Sequence, residues 1–153
     1  MNLILWRHAE AEDANRSGDM ARELTKRGRK QAKQMAHWLD EHLEGDWRIL
    51  VSPATRTLQT VEPLDREFEV SEAISTGTNA EKVLRAAGWP DGGNVVVVGH
   101  QPTLGEVASK LVRGEEGCLA IRKGAIWWFV ARMREGKMEA TLKTVLEPDQ
   151  AED

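Results

Sequence analysis

"NVVVVGHQPTLGE", residues 94–106, decides the fold. Four consecutive valines leave no polar face, so the segment reads as a strand covered on both sides, as in the middle of a parallel sheet. Gly99-His100 follows at once, and Thr103-Leu-Gly-Glu106 has the spacing of a capping box. It opens a helix carrying Leu104, Val107, Ala108, Leu111 and Val112. Open α/β sheets are built from buried strands that run into helices, and their sites form beyond the carboxyl ends of the strands.

The same unit recurs on either side. "NLILWRHAEAE" gives a first strand over roughly Asn2–Trp6 that ends on Arg7-His8. An acidic loop rich in small residues runs to about Met20. A helix is expected over Lys26–Glu44, because Ala32, Met35, Ala36, Leu39 and Leu43 recur at helical spacing and Gly45 stops it. Arg48–Val51 is a second strand. "SPATRTLQTVEP" (52–63) then starts a helix, with Ser52 as N-cap, Pro53 in the first position and Pro63 at the end. Phe68–Val70 is a short strand. Thr78–Glu81 is a further capping box, opening a helix with Ala80, Val83, Leu84 and Ala87 on one side. Ala125–Ala131 is apolar on both faces, Lys137–Val145 alternates, and Glu135-Gly136 turns between them, as in an antiparallel edge hairpin. The expected architecture is a three-layer α/β sandwich, with a mostly parallel central sheet, helices on both faces and a C-terminal antiparallel hairpin. It forms one domain over residues 1–147, followed by a frayed acidic tail over 148–153.

The 153 residues suit a single core, and 41% hydrophobic with 30% charged residues is the balance of a soluble globular chain. No apolar run approaches the ~20 residues of a membrane span, and the N-terminus does not read as a secretory signal. A net charge of −4 argues against a nucleic-acid partner. Cys118 is the lone cysteine, so no intrachain disulfide is possible, which fits a reducing cytoplasm. Nothing in the sequence demands more than a monomer.

Topology brings three stretches together: Arg7-His8, Ser52–Arg56 and Gly99-His100, each just after a buried strand. Phosphoryl transfer needs cations on the equatorial oxygens and an in-line nucleophile. Arg7 and Arg56 offer fixed charge and forked donors. His8 can carry a covalent intermediate, provided one ring nitrogen is unprotonated. Neighbouring arginines discourage its protonation, and an acceptor such as a backbone carbonyl would hold its other nitrogen. His100 supplies a second phosphate donor, strongest when protonated.

Four pieces, "LWRHAEAE", "DMARELTKRGRKQA", "VSPATRTLQT" and "VVVVGHQPTLG", appear in this order over roughly Leu3 to Gly105. Together they resemble the histidine phosphatase superfamily, which has the phosphoglycerate-mutase-like fold, and within it the small SixA-type phosphohistidine phosphatases. The resemblance implies that His8 is the phosphorylated nucleophile and that Arg7, Arg56 and His100 surround the phosphate. Arg22 would match a further arginine near the pocket, although a surface arginine paired with Asp19 or Glu23 explains it as well. No metal and no organic cofactor would be required.

The chain also departs from the pattern. Ala9 stands where Gly is common, and Glu23 where Pro is frequent. Larger relatives use an acidic proton donor in the interval that here holds Glu72 and Glu81, and neither lies in a matching motif. A protonated imidazole leaves phosphorus more readily than an alkoxide does, so a missing acid points to phosphohistidine. The short interval from Thr57 to Val98 leaves little chain for a lid, and an open pocket admits a histidine displayed on another protein. The expected activity is therefore metal-independent hydrolysis of phosphohistidine on a phosphotransfer or signalling protein, through phospho-His8. The alternative substrate is a small phosphorylated metabolite.

Blander readings stand beside these. The pocket could bind phosphate without turning it over. His8, Glu10, Glu12 and His100 could ligate a divalent metal, although Arg7 and Arg56 would crowd a cation. Lys26, Arg27, Arg29, Lys30 and Lys33 form a solvated helix face or else a docking patch. His37 reads as surface, His42 as boundary, and Trp127-Trp128 as sheet packing.

Overall fold

A computed structural model describes residues 1–151. The elements, in chain order, are β1 (Asn2–Arg7), α1 (Lys26–His42), β2 (Arg48–Val51), α2 (Thr55–Val61), β3 (Glu69–Val70), α3 (Ala80–Ala87), β4 (Asn94–Gly99), α4 (Thr103–Arg113), β5 (Ile126–Arg134) and β6 (Lys137–Leu146). They build one six-stranded sheet in the order β3-β2-β4-β1-β5-β6. The first four strands of that order run parallel, β5 runs antiparallel to β1, and β6 runs antiparallel to β5.

The valine run explains the layering. Val95 and Val97 pack with Leu3, Leu5 and Leu50 under α3 and α4, while Val96 and Val98 pack with Ile4, Trp6, Ile49 and Val51 under α1 and α2. All four valines are fully buried. Strict alternation between two cores is what a strand without a polar face requires. The three-layer sandwich expected from the sequence is thus present, hairpin included. Glu135 and Gly136 both adopt positive φ, +51° and +79°, as a two-residue turn between twisted strands demands.

Register places the ends of the strands. Arg7 pairs with Gly99 across β1 and β4, and Val51 pairs with Val98 across β2 and β4. His8 and His100 therefore leave adjacent strands at the same level, with Ser52 beside them.

Local signals were less faithful. The α2 helix begins at Thr55 with Ala54 as its cap, not at Pro53, because the Ser52 hydroxyl is engaged elsewhere. Asn79 rather than Thr78 caps α3, accepting from Lys82 N–H. At α4, Thr103 lies inside the helix, and the Gln101 side chain accepts from Gly105 N–H in its place. The α1 helix ends at His42, two residues short of Glu44, with its cap at Leu43. The expected frayed tail is instead ordered over Pro148–Ala151, a 3-10 turn whose Pro148 and Ala151 are buried. Ala151 joins the core beneath α1, so apolar burial outweighs the acidic composition there. Residues 152 and 153 lie outside the described residues.

A close approach ties α1 to the chain after β1. Gly28 sits in the first turn of α1, where a Cβ would lie 1.9 Å from the Glu10 carbonyl oxygen. That same oxygen accepts from Thr25 N–H at 3.0 Å. The basic run Lys26, Arg27, Arg29, Lys30 and Lys33 is exposed, with Arg27 paired to Glu10 and Arg29 to Glu23, each at 3.6 Å. His37 is on the surface beside Glu41. His42, expected at the boundary, is exposed and stacks on Trp38 at 3.9 Å between ring centroids.

Candidate active site

The backbone around His8 is held on every side. His8 N–H donates to Gly99 O (3.1 Å), Gly124 N–H donates to His8 O (2.9 Å), and Ala9 N–H donates to Thr60 Oγ1 (3.0 Å). Gly124 has φ +76°, and a side chain there would press on Pro148. The Thr60 hydroxyl in turn donates to Arg56 O, so α2 carries both a guanidinium and the brace for the His8 turn.

The His8 ring is buried, 7% exposed, and its Nδ1 lies 2.7 Å from Ala9 O. A carbonyl can only accept, so Nδ1 bears the proton and Nε2 keeps its lone pair. Burial, reinforced by His100, Arg56 and Arg7, pushes the His8 pKa down to about 3, so the ring is neutral at neutral pH. These are the two conditions a nitrogen nucleophile must meet.

His100 lies across from it, 5.5 Å between ring centroids. Its Nε2 is 2.7 Å from Ser52 Oγ. Burial, helped by Arg56, brings its pKa to about 4, so at neutral pH His100 is a neutral ring and not the imidazolium that would be the stronger donor. Arg56 is 4% exposed and reaches Asp19, with Nη1 on the backbone oxygen (2.8 Å) and Nη2 on the carboxylate (3.3 Å). Arg7 Nη1 donates to Ile121 O at 2.8 Å. Arg7 Nε, Arg56 Nε and His100 Nδ1 are buried without a protein partner. Three unpartnered buried nitrogens on residues around one cavity form a polar environment suited to an anion.

That cavity, about 270 Å³, is lined by all five residues singled out in the sequence: Arg7, His8, Arg22, Arg56 and His100. Arg22 combines both of its readings, since it lines the cavity while its Nη1 pairs with Asp19 at 3.1 Å. Asp19 bridges Arg22 and Arg56, and the Arg22 hydrogen bond holds its carboxyl below the usual range. The sequence reading did not assign Asp19 to the site, and it also missed Lys123 and Glu106, both of which line the cavity. Glu106 is the lone carboxylate among the lining residues, and it lies on the helix that the valine strand leads into.

The candidate acids in the earlier interval sit elsewhere. Glu72 is exposed in a 3-10 turn, and Glu81 pairs with Lys110 at 3.5 Å. The rival metal set is dispersed as well. β1 ends at Arg7, so His8, Glu10 and Glu12 do not share a strand face. Glu10 accepts from Thr25 Oγ1 at 2.8 Å, and Glu12 from Asn15 Nδ2 at 2.7 Å. Among the described residues, no group of three or more His, Cys, Asp or Glu is placed to hold a metal ion.

Comparison with known proteins agrees with this geometry. The sequence profile of the histidine phosphatase superfamily (branch 1) matches residues 3–78, the stretch that supplies Arg7, His8, Arg22 and Arg56. An uncharacterized protein of Picosynechococcus sp. is 35% identical over 130 residues, covering 76% of each chain. The chain belongs to the histidine phosphatase superfamily. It is a phosphatase similar to those of the SixA type. The phosphohistidine phosphatase SixA of Escherichia coli K12 is 28% identical over 130 residues, covering 75% of this chain and 76% of that protein. A structure of the protein histidine phosphatase SixA complexed with tungstate superposes with a TM-score of 0.81 at 25% identity, covering 99% and 100% of the two chains. The fold is also shared, at 20% identity and a TM-score of 0.71, by a phosphoserine phosphatase of Entamoeba histolytica, covering 97% and 98%. Among the described residues no helix is long and apolar enough to cross a membrane.

Proposed function

We propose that this histidine phosphatase hydrolyses phosphohistidine displayed on another protein, by way of a phospho-His8 intermediate. The observation that carries the reading is the His8 Nδ1–H bond to Ala9 O, which leaves Nε2 as a lone pair facing a cationic cavity. In the first step Nε2 attacks phosphorus and the substrate's P–N bond breaks. The departing imidazole retains its other N–H and leaves neutral. Arg7, Arg56 and the His100 N–H take up the charge that spreads over the equatorial oxygens. His8 keeps its Nδ1 proton, so phospho-His8 is a cationic ring stabilised by the Ala9 carbonyl. Water then attacks phosphorus, the P–Nε2 bond breaks, and His8 leaves as the neutral ring that began the cycle, with inorganic phosphate as product.

The rim supports a protein-borne substrate. Of the whole Thr57–Val98 interval, only Thr76, Gly77 and Thr78 line the cavity, so this stretch contributes a low loop and no element over the opening. A small phosphorylated metabolite is the second reading, and Glu106 favours it, because a carboxyl group in the wall, in its acid form, can give its proton to a leaving alkoxide and become the carboxylate. The test compares hydrolysis of a phosphohistidine peptide with that of ordinary phosphate esters, in wild type and in Glu106→Gln. The proposal expects phosphohistidine to be the faster substrate, with Glu106→Gln leaving its rate within a few-fold. Faster ester turnover that collapses in Glu106→Gln would establish the second reading instead.

A further inference from the structure

Ser52 belongs to none of the roles assigned so far. Its residue is completely buried, its N–H donates to Val98 O (3.1 Å), and its carbonyl accepts from Thr57 Oγ1 (2.8 Å). β2 and β4 thus deliver its hydroxyl to the His100 ring as a fixed group.

The hydroxyl has one proton to donate and two lone pairs to accept with. Ala54 N–H already donates to one lone pair, at 3.3 Å. Two arrangements remain for the 2.7 Å contact with His100 Nε2. If Nε2–H donated to Ser52, the serine O–H would be a buried donor without an acceptor, and Nδ1 would be a buried bare lone pair among guanidinium groups. It would then repel an incoming phosphoryl oxygen. If Ser52 O–H donates to Nε2, the serine is fully satisfied and Nδ1 carries the proton. A single free donor is left over, Nδ1–H, which has no protein partner. An unmade buried bond costs about 1–3 kcal/mol, and the first arrangement contains two such defects.

We infer that Ser52 is a positioning residue, which fixes the Nδ1–H tautomer of His100 so that this proton is presented to the phosphoryl group. The inference rests on the proposed role of His100 at the phosphate. Ser52 does not touch the reacting atoms. Its hydroxyl decides whether the nitrogen of a neutral imidazole that meets an anion carries a proton.

The experiment records the ring-nitrogen resonances of His100 in the uniformly ¹⁵N-labelled full chain at pH 7, for wild type and Ser52→Ala, and measures tungstate affinity and phosphatase kinetics in parallel. A pyrrole-type Nδ1 and a pyridine-type Nε2 are expected in wild type, with that pattern lost in Ser52→Ala. Tungstate affinity should fall about tenfold, the loss of roughly one hydrogen bond. The kinetic defect should appear in kcat more than in KM. Ser52→Thr, which keeps a hydroxyl, should recover the wild-type tautomer and most of the rate. A wild-type ring protonated at Nε2 overturns the inference even if Ser52→Ala cannot be folded. So does the expected tautomer combined with unchanged kcat and tungstate affinity in Ser52→Ala. If wild type turned over no phosphorylated substrate, the functional proposal would fall, while the resonances and the tungstate arm would still decide the role of Ser52.

Discussion

The two ends of the sheet treat their polar groups in opposite ways. At the amino ends of β1 and β4, Trp128 Nε1 donates to Asn2 Oδ1 (3.0 Å), Asn2 Nδ2 to Asn94 Oδ1 (3.0 Å), and Asn94 Nδ2 to Asp46 O (3.2 Å). Trp38 and Trp47 meet Trp128 edge-on, and Lys143 lies 4.2 Å above the Trp128 ring. At the carboxyl ends of the same strands, buried nitrogens of Arg7, Arg56 and His100 have no protein partner. One end is closed by its own hydrogen bonds, and the other keeps donors in reserve. Folding stability calls for the first arrangement, whereas binding an anion calls for the second.

Substitutions at the two ends should therefore separate rate from stability. The largest effect is expected for His8→Ala, which should reduce turnover to background and abolish acid-labile phosphate on the protein, with the unfolding midpoint near that of wild type. A labelled or active variant would end the nucleophile assignment. Next comes Trp128→Ala at the other end, expected to cost about 3–5 kcal/mol in denaturant unfolding while leaving kcat per folded molecule unchanged. Arg56→Ala should lower kcat about 10²–10³-fold. If only KM changed, Arg56 would be a general binding contact with no preference for the transition state.

The smallest change concerns pH. His8 and His100 have pKa values held near 3 and 4, below the value of about 6.5 expected in the unfolded chain. The denatured state therefore binds more protons than the native state once pH drops below about 6.5. The stability that the two neutral rings contribute is complete above that pH and drains away as pH falls toward 4 and 3. Ring C–H resonances of both histidines should stay constant between pH 8 and 5. A midpoint near 6.5 for either would show that its burial does not govern its charge.

The carboxyl-end half of this contrast was legible in the sequence, for a physical reason. A run such as Val95–Val98 has one way to hide both faces, and the residue that follows it must emerge at the strand end. His8, Arg56 and His100 were located by that logic, and the shared register of β1, β2 and β4 does the rest. Capping motifs read less well, because neighbouring hydroxyls and amides compete for the same amides. Asn79 displaced Thr78, and the Ser52 hydroxyl, read as a helix cap, faces an imidazole instead. Asp19, Glu106 and Lys123 escaped notice because no sequence period specifies where a loop or helix residue falls relative to a distant cavity. The burial of Pro148 and Ala151 shows the same blindness: a short acidic segment gives no local sign that it will close over α1.

The hydrogen in place of a methyl at residue 28 has a consequence for how variation at this enzyme should be interpreted. With the Glu10 carbonyl lying where any β-carbon would go, alanine at position 28 must push the loop two residues beyond the nucleophile. The imidazole would be misaimed by a change carrying no charge, no donor and no acceptor, on a helix whose outward side is exposed. Loss of activity with an intact fold can thus arise from a site that a survey of chemically reactive residues would skip.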